Sequence, residues 1–243
     1  MSNPIKIQAE VLSNTRVAEG VYSLILAPSK RRFSFYPGQF LHLALDQYDP
    51  SGGFWPDSRV FSIASSPEAD SIEIVYSVKG AFTRRMMDEI EIGDTVWLKF
   101  PYGSFVIRTY IHSAIKKIVV IAGGTGISPF LSFFRSSAAK QDVPDMHVYW
   151  GVKTPEVFGI FPEMRRCMNG NSNIYLYCEE PGITPLRNIT PGILPIKDII
   201  RDQGNCAQSL YFLSGPPRMI NDFKEVLLEN SVSQQNIIID DWE

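Results

Sequence analysis

Cysteine and histidine are scarce in this chain of 243 residues, with three of each. Cys167, Cys178 and Cys206 lack the short spacings of a zinc or iron-sulfur site, and their odd number argues against a complete disulfide framework. The histidines are equally scattered along the chain. The sequence therefore predicts no metal site, and it favours buried thiols.

Excess positive charge and long apolar runs are also lacking. The formal net charge is -3 and the isoelectric point is near 5.7, so no broad basic field is present to attract nucleic acid. The apolar stretch 118–134 contains three glycines and a proline, which indicates a strand, a tight loop and a helix start rather than a membrane span. Residues 1–6 lack the basic and then apolar regions of a signal peptide, so we expect a cytoplasmic protein.

Apolar residues are abundant, at 44% of the chain, which is enough to form substantial cores. The length suits one large domain or two of ordinary size. The pattern of residues changes across a polar segment at 108–117. We therefore predict two domains, residues 1–110 and residues 111–243.

The first domain consists of short segments rich in β-branched and aromatic residues, separated by turn-forming clusters. Several short strands at this spacing indicate an antiparallel barrel or sandwich, interrupted by one helix at 82–90. The predicted strands include 21–26, 39–45, 71–78 and 95–100.

The second domain alternates apolar strands with segments of helical length, a pattern that predicts a parallel sheet covered on both faces. The predicted strands are 118–122, 146–152, 174–178, 210–213 and 237–239, and the predicted helices are 128–140, 155–168 and 216–229.

The segment 59–67 reads Arg-Val-Phe-Ser-Ile-Ala-Ser-Ser-Pro. In a strand, Arg59 and Phe61 point to one face, while Ser62 points to the other. A cation beside an aromatic ring and several hydroxyl groups suits an amphipathic anionic ligand. Taken alone, the segment is equally typical of an amphipathic strand with a surface arginine.

Three further segments have the features of phosphate-binding turns. Residues 79–83 and the glycine-rich residues 123–129 each follow a predicted strand and open a helix, where free backbone N–H groups bind phosphate oxygens. Residues 214–217, Ser-Gly-Pro-Pro, place a hydroxyl group at the carboxyl edge of the predicted sheet, where such sheets bind ligands. Helix capping is the alternative role of Ser214 and of Thr83.

The order and separation of segments 59–67, 121–129 and 214–217 closely resemble the ferredoxin-NADP reductase superfamily. In that superfamily a flavin-binding β-barrel precedes a nicotinamide-binding α/β domain, and hydride passes from NAD(P)H to the flavin. The resemblance runs through nearly the whole chain. It implies an N-terminal antiparallel β-barrel, a C-terminal α/β domain with a parallel sheet, and FAD as the cofactor of a flavoprotein reductase.

The family element Arg-x-Tyr-Ser-x-x-Ser matches residues 59–65, with Phe61 in place of tyrosine. The match implies that Arg59 contacts the flavin phosphates, that Phe61 lies beside the flavin ring and that Ser62 lies near its redox-active nitrogen. Because Phe61 lacks the tyrosine hydroxyl, we expect weaker flavin retention. The implied flavin set is Arg59, Phe61, Ser62, Ser65, Gly80 and Thr83.

The implied nicotinamide set is Gly123, Gly124, Thr125, Gly126, Ser214, Gly215 and Pro216. Many relatives have cysteine in place of Ser214, so we expect slower hydride transfer here. Glu179 and Glu180 occupy a region where NADPH-using relatives carry Ser-Arg, which favours NADH over NADPH as donor, although a solvated acidic turn is an alternative. Trp242, after the last strand, matches an aromatic that shields the flavin, or it packs on the surface.

The sequence contains no cysteine-rich segment like the one that holds a two-iron cluster in some fused members. The resemblance therefore implies a separate electron acceptor, such as an iron-sulfur protein or an oxygenase component. Basic residues at 30–32 and 84–85 attract an acidic carrier or are solvated. Two rival functions remain: a free-flavin reductase, which takes flavin as a substrate, and a non-catalytic nicotinamide-binding sensor or regulatory subunit.

Overall fold

The computed structural model describes residues 4–29, 34–140, 143–160, 172–182, 188–203 and 206–240. The chain folds into two compact units. The first extends to Val106 and also includes Ser128–Ser137, and the second comprises Ile107–Ile127 and the described residues from Ala138 onward. The domain ranges 1–110 and 111–243 stay a prediction. No helix in the described ranges has the length and apolar character needed to cross a membrane.

The first unit is built on a six-stranded antiparallel sheet with the order β4-β3-β6-β1-β2-β5. A bridge between Ile63 and Ile74 joins β4 to β5, the two ends of that order, so the sheet closes on itself. The predicted antiparallel barrel is therefore confirmed. Its strands are β1 (Ile5–Ala18), β2 (Val21–Pro28), β3 (Phe40–Ala44), β4 (Ser58–Ser62), β5 (Ile72–Ser77) and β6 (Thr95–Tyr102).

Helix α1 (Ala81–Glu89) packs on this barrel through Phe82 and Met86, which are four residues apart and so share one helix face. The side chain of Asn14 fixes the helix to β1. Its Nδ2 donates to the carbonyl of Met86 at 2.9 Å, and its Oδ1 accepts from the hydroxyl of Tyr76 at 3.1 Å. Helix α1 is thereby held at a defined place on the barrel.

The second unit is built on a six-stranded parallel sheet with the order β10-β9-β8-β7-β11-β12. The chain moves outward from β7 in one direction and then returns to β11 on its other side. The carboxyl ends of β7 and β11 thus flank the topological switch point, where open α/β sheets bind ligands. The strands are β7 (Lys117–Gly123), β8 (Asp145–Val152), β9 (Asn173–Cys178), β10 (Ile189–Pro191), β11 (Ser209–Ser214) and β12 (Ile237–Ile239).

In the described part of the chain after β7, the α-helices are α2 (Ser128–Arg135), α3 (Ile196–Gln203) and α4 (Pro217–Glu229). Helices α3 and α4 cover one face of the parallel sheet, in a core that includes Val119, Leu213 and Leu227. The opposite face is contacted by residues of two 3-10 helices, since Tyr110 packs edge-to-face on Phe212 and Phe158 on Trp150.

Two helices differ from their predicted extents. The helix predicted at 128–140 is an α-helix only to Arg135, and a 3-10 turn follows at Ser137–Lys140. The helix predicted at 155–168 begins as a 3-10 helix, Pro155–Ile160, and its remainder lies outside the described residues. Helix α3 and the three-residue strand β10 were not predicted, since both are short and partly exposed.

Candidate functional site

Arg59 and the start of α1 lie together on the first unit. The guanidinium Nη1 of Arg59 donates to Asp57 Oδ1 at 2.6 Å and to the carbonyl of Ser58 at 2.8 Å. The guanidinium carbon lies 5.2 Å from the ring centre of Phe82, within the range of a cation–π contact. Because Phe82 is the second residue of α1, the fold brings together the two segments that the sequence predicts as flavin-phosphate contacts.

The first turn of α1 is organised by Thr83. Its Oγ1 accepts hydrogen bonds from the backbone N–H groups of Lys79 at 2.9 Å and of Gly80 at 3.2 Å. The first N–H groups of a helix have no intrahelical partner, and the helix dipole adds partial positive charge at this end. A Cβ at Gly80 would meet no protein atom within 4 Å, so packing does not require glycine at this position.

Ser62 and Ser65 are both buried, but their hydroxyl groups differ. Ser65 Oγ accepts the backbone N–H of Glu73 at 3.0 Å, so it helps to close the barrel. Ser62 is only 3% exposed, and its Oγ has no hydrogen-bond partner within the described structure. Leaving a buried hydroxyl unpaired costs roughly 1–3 kcal/mol. A ligand that supplies the missing partner would remove this cost, so Ser62 fits a flavin site.

Phe61 belongs to the core of the barrel. It is 8% exposed and packs edge-to-face on Tyr76, with ring centres 6.3 Å apart. The structure thus gives the ring a packing role. Its place beside the flavin ring stays a prediction.

The two nicotinamide segments of the second unit are in direct backbone contact. A Cβ on Gly126 would lie 2.5 Å from the carbonyl oxygen of Ser214, and one on Gly215 would lie 2.9 Å from the nitrogen of Gly123. Such distances exclude any side chain at these glycines. The fold therefore brings the ends of β7 and β11 together into one cradle of bare backbone, which suits the close approach of a pyrophosphate.

Trp150 forms a hydrogen bond to the backbone of the glycine turn. Its buried indole Nε1 donates to the carbonyl of Gly124 at 2.9 Å. Gly124, at the start of the 3-10 turn Gly124–Ile127, has a φ of +55°, which lies in the left-handed region that favours glycine. Thr125 follows in this turn and is partly exposed. Sequence reasoning missed Trp150, because its hydrogen bond joins residues far apart in the chain.

The hydroxyl of Ser214 is fully buried and donates to Asp240 Oδ2 at 2.8 Å. Asp240 is 3% exposed, and its backbone N–H donates to the carbonyl of Leu213 at 2.9 Å. Sequence reasoning placed Ser214 at this edge of the sheet but did not assign Asp240. A usable signal was present, since an acidic residue directly after an apolar strand stands at the carboxyl edge.

Glu179 and Glu180 lie past the end of β9 and extend its pairing with β8. Their N–H groups donate to the carbonyls of Val152 at 3.0 Å and Lys153 at 2.8 Å. The side chains of Lys153 and Glu180 form an exposed ion pair at 3.5 Å. Lys153, which sequence reasoning also missed, therefore offsets part of the acidic charge. Next to this pair, burial raises the pKa of the Cys178 thiol, so the thiol stays protonated.

Some predicted site residues lie outside this geometry. Trp242 and the basic residues 30–32 are outside the described residues. Arg85 forms surface ion pairs with Asp46 and Glu89, and these carboxylates raise the pKa of its guanidinium. Pro216, by contrast, is exposed directly before α4, beside the glycine cradle.

The chain thus carries a closed barrel with a helix start beside Arg59, and a parallel sheet with a glycine cradle at its switch point. Residues 120–225 match the family model of the oxidoreductase NAD-binding domain. The fold is also that of a ferredoxin NADP+ reductase from Neisseria gonorrhoeae with bound FAD and NADP, with a TM-score of 0.79, 17% identity and 98% of each chain covered. The fold is therefore the one that the resemblance to the ferredoxin-NADP reductase superfamily implies.

Two curated relatives extend the similarity along the chain. The reductase component of propane 2-monooxygenase from Rhodococcus jostii is 26% identical over 92% of this chain and 60% of its own length. The electron transfer component of anthranilate 1,2-dioxygenase from Acinetobacter baylyi is 26% identical over 96% of this chain and 66% of its own length. The chain thus spans less than two thirds of the length of these two relatives.

Proposed function

We propose that this protein is a flavin-dependent oxidoreductase that takes hydride from NADH onto bound FAD and passes the electrons to a separate acceptor. The observation that carries the proposal is the buried hydroxyl of Ser62, which lacks a partner in the described structure at the position that the superfamily uses for flavin. A bound flavin supplies the chemistry itself, accepting two electrons and a proton as hydride and releasing the electrons to the acceptor.

The first unit binds the cofactor through two kinds of groups. The guanidinium of Arg59 and the first N–H groups of α1 bind the phosphates, since Phe82 sets them side by side. Ser62 donates its hydroxyl hydrogen to the flavin. Ser65 contributes to flavin binding indirectly, by stabilising the barrel, because its oxygen already accepts the backbone N–H of Glu73.

The second unit binds the nucleotide at the switch point of its sheet. The backbone of Gly123–Gly126 and Gly215 holds the pyrophosphate in the glycine cradle. Ser214 contributes through its size and position rather than through proton transfer. Its hydroxyl already donates a hydrogen bond to Asp240, and both side chains are buried. General acid-base catalysis by these residues is not required for hydride transfer.

The preference for NADH over NADPH follows from the negative charge of the residues that come after β9. Adjacent strands are about 4.8 Å apart, so the end of β9 lies roughly 10 Å from the glycine loop after β7, within reach of the adenosine end of an extended dinucleotide. Glu179 and Glu180 repel a 2′-phosphate there, and Lys153 is engaged by Glu180. NADH is therefore the proposed donor, and a higher kcat/KM for NADPH would contradict this assignment.

The proposed acceptor is a separate redox protein, such as an iron-sulfur protein or an oxygenase component. The support comes from the relatives named above, a reductase component of a monooxygenase and an electron transfer component of a dioxygenase. A cytoplasmic location is part of the proposal, because the proposed donor is a cytoplasmic nucleotide.

A free-flavin reductase is the second candidate function. The observation that favours it is the burial of Phe61 in the barrel core, where the ring offers no hydroxyl to retain the cofactor. In that case flavin would enter as a substrate and leave reduced.

The anaerobic visible spectrum of the purified protein, before and after addition of NADH, tests both candidates. A yellow protein that bleaches promptly supports the bound-FAD reductase. A colourless protein that reduces added riboflavin at a saturable rate supports the second candidate. A protein that binds NADH but reduces neither bound nor added flavin contradicts both.

A further inference from the structure

Helix α2 ends on the segment that follows Ser62. The side chain of Arg135, the last residue of α2, donates from Nη1 to the carbonyl of Ala64 at 3.0 Å and to Glu73 Oε2 at 2.7 Å. Arg135 and Glu73 are each only 17% exposed. Near the start of α2, Phe130 packs edge-to-face on Phe105, with ring centres 5.8 Å apart. Two separate contacts thus fix the helix to the rest of the first unit.

Glu73 connects this contact to the barrel wall. Its Oε1 accepts from the hydroxyl of Ser23 at 2.8 Å, so both carboxylate oxygens have a partner. Its backbone accepts the N–H of Ala64 at 2.7 Å and donates to Ser65 Oγ at 3.0 Å. With the bond from the N–H of Ile63 to the carbonyl of Gln39, at 3.1 Å, every residue from 63 to 65 is held by a hydrogen bond.

Ser62 itself presents the opposite situation, since its buried hydroxyl has no partner in the described structure. The orientation of this hydroxyl therefore depends on the backbone that carries it. Arg135 supplies a bond from a charged side chain of α2 to the carbonyl of Ala64 in that backbone. A bond from a charged donor is stronger than a neutral one and more sensitive to geometry.

We propose that Arg135, acting through Ala64 and Glu73, is a positioning residue that fixes the Ser62–Ser65 segment for flavin binding. This inference rests on the proposed function. Arg135 does not take part in the transfer of hydride, and its effect on the cofactor is exerted through the backbone. Helix α2 begins immediately after the nicotinamide loop in the chain, and its last residue bonds the flavin segment.

The test is a titration of flavin-free protein with FAD, followed by the quenching of flavin fluorescence and by the visible circular dichroism of the bound flavin. Arg135→Ala is expected to weaken FAD binding about tenfold, the factor that corresponds to one hydrogen bond to a charged group. The dichroism at saturating FAD is expected to change as well, because the flavin meets a displaced segment. A purely structural role would lower the melting temperature without changing that spectrum.

Three variants complete the design. Arg135→Lys keeps the charge and is expected to recover part of the affinity, and Glu73→Gln tests the same contact from its other side. Arg201→Ala, which removes an exposed ion pair on α3, is the matched control and is expected to bind FAD as the wild type does. If Arg135→Ala does not fold, the FAD affinity and dichroism of Arg135→Lys and Glu73→Gln test the inference, since both substitutions keep a side chain of similar size.

The outcomes separate the inference from the function on which it rests. Unchanged affinity and dichroism in the Arg135 and Glu73 variants, with normal binding by the wild type, would overturn the inference alone. A wild-type protein that does not bind FAD would overturn the proposed function and the inference together. Binding of NAD+ by the same samples, with unchanged affinity, shows that the second unit is intact in each case.

Discussion

At the scale of single residues, three serines in the two motifs differ in what their hydroxyl groups do. Ser62 is buried without a partner in the described structure, Ser65 accepts a backbone N–H, and Ser214 donates to Asp240. The same side chain is therefore available to a ligand in one place and committed to the fold in the others. We therefore expect substitution of Ser62 to affect stability differently from substitution of Ser65 or Ser214.

Replacing Ser62 by alanine should not destabilise the flavin-free protein. The change removes a buried hydroxyl that has no described partner, so the free energy of unfolding is expected to stay constant or to rise by about 1 kcal/mol. FAD affinity is expected to fall several-fold. Ser65→Ala is the control, since loss of its bond to Glu73 should lower the free energy of unfolding by about 1 kcal/mol. A clear destabilisation by Ser62→Ala, measured by denaturant unfolding, would show that the hydroxyl has a partner.

Ser214→Cys is expected to leave the flavin content unchanged and to alter the rate of flavin reduction by NADH. A thiol is a weak donor, so the buried carboxylate of Asp240 loses a strong hydrogen bond and the free energy of unfolding should fall by about 1–3 kcal/mol. Stopped-flow reduction and denaturant unfolding measure the two effects. Ser214→Ala separates loss of the bond from the added sulfur. An unchanged reduction rate would remove Ser214 from the argument on hydride transfer.

At the scale of elements, two helix ends are organised by polar side chains. The start of α1 is held by Thr83, and the residues just after α2 are held by Glu68, which accepts from the N–H of Ser137 at 3.1 Å and from its hydroxyl. Burial alone would raise the pKa of Glu68, but hydrogen bonds from Ser137 and Ser66 together hold that pKa below its usual value. The end of α2 is therefore sensitive to acid.

The contribution of Glu68 to stability should disappear at low pH. Because its pKa is lower in the folded state, the contribution is complete above the unfolded pKa, about 4.3, and is lost as the pH falls through the folded value. Melting curves of the wild type and of Glu68→Gln from pH 7 downward measure this. The wild type should melt higher at pH 7, and the two curves should converge in acid. A gap that persists at low pH would refute the assignment.

At the scale of the whole chain, each unit has its own hydrophobic core. The core of the first unit lies inside the barrel and includes Leu24, Leu43 and Phe100, while the core described for the second lies between the parallel sheet and the helices α3 and α4. The proposed cofactor and the proposed donor are assigned to different units. A ligand that binds only the folded state of a unit raises the stability of that unit.

Calorimetry should therefore separate the two ligands. FAD is expected to raise the free energy of unfolding of the first unit, and NAD+ that of the second. Each increase should be about 2.7 kcal/mol at a free concentration one hundred times the dissociation constant, and it should raise the transition temperature of that unit. The control is Ser62→Ala, which should reduce the shift with FAD and leave the shift with NAD+ unchanged. A single transition that both ligands move equally would show that the chain unfolds as one cooperative unit.

The sequence predicted the barrel and the parallel sheet, because hydrophobic periodicity is a local signal. It also predicted the glycine-rich turn after β7, because such a turn is recognisable from a few adjacent residues. It did not predict the contacts that give the site residues their states. Asp240 is 26 positions from Ser214, and Arg135 is 62 positions from Glu73. Whether a serine hydroxyl is free or bonded depends on such distant partners, so a motif alone does not determine it. The cation–π contact of Arg59 with Phe82 was missed for the same reason.

The glycine cradle also limits how this protein can change by mutation. Every amino-acid replacement of a glycine adds at least one side-chain carbon, and at Gly126 and Gly215 that carbon would overlap the backbone of the facing loop. We therefore expect Gly126→Ala and Gly215→Ala to displace the facing backbone and distort the turn. Substitution is sterically easier at Lys153 and Glu180, whose exposed side chains can be exchanged without moving the main chain.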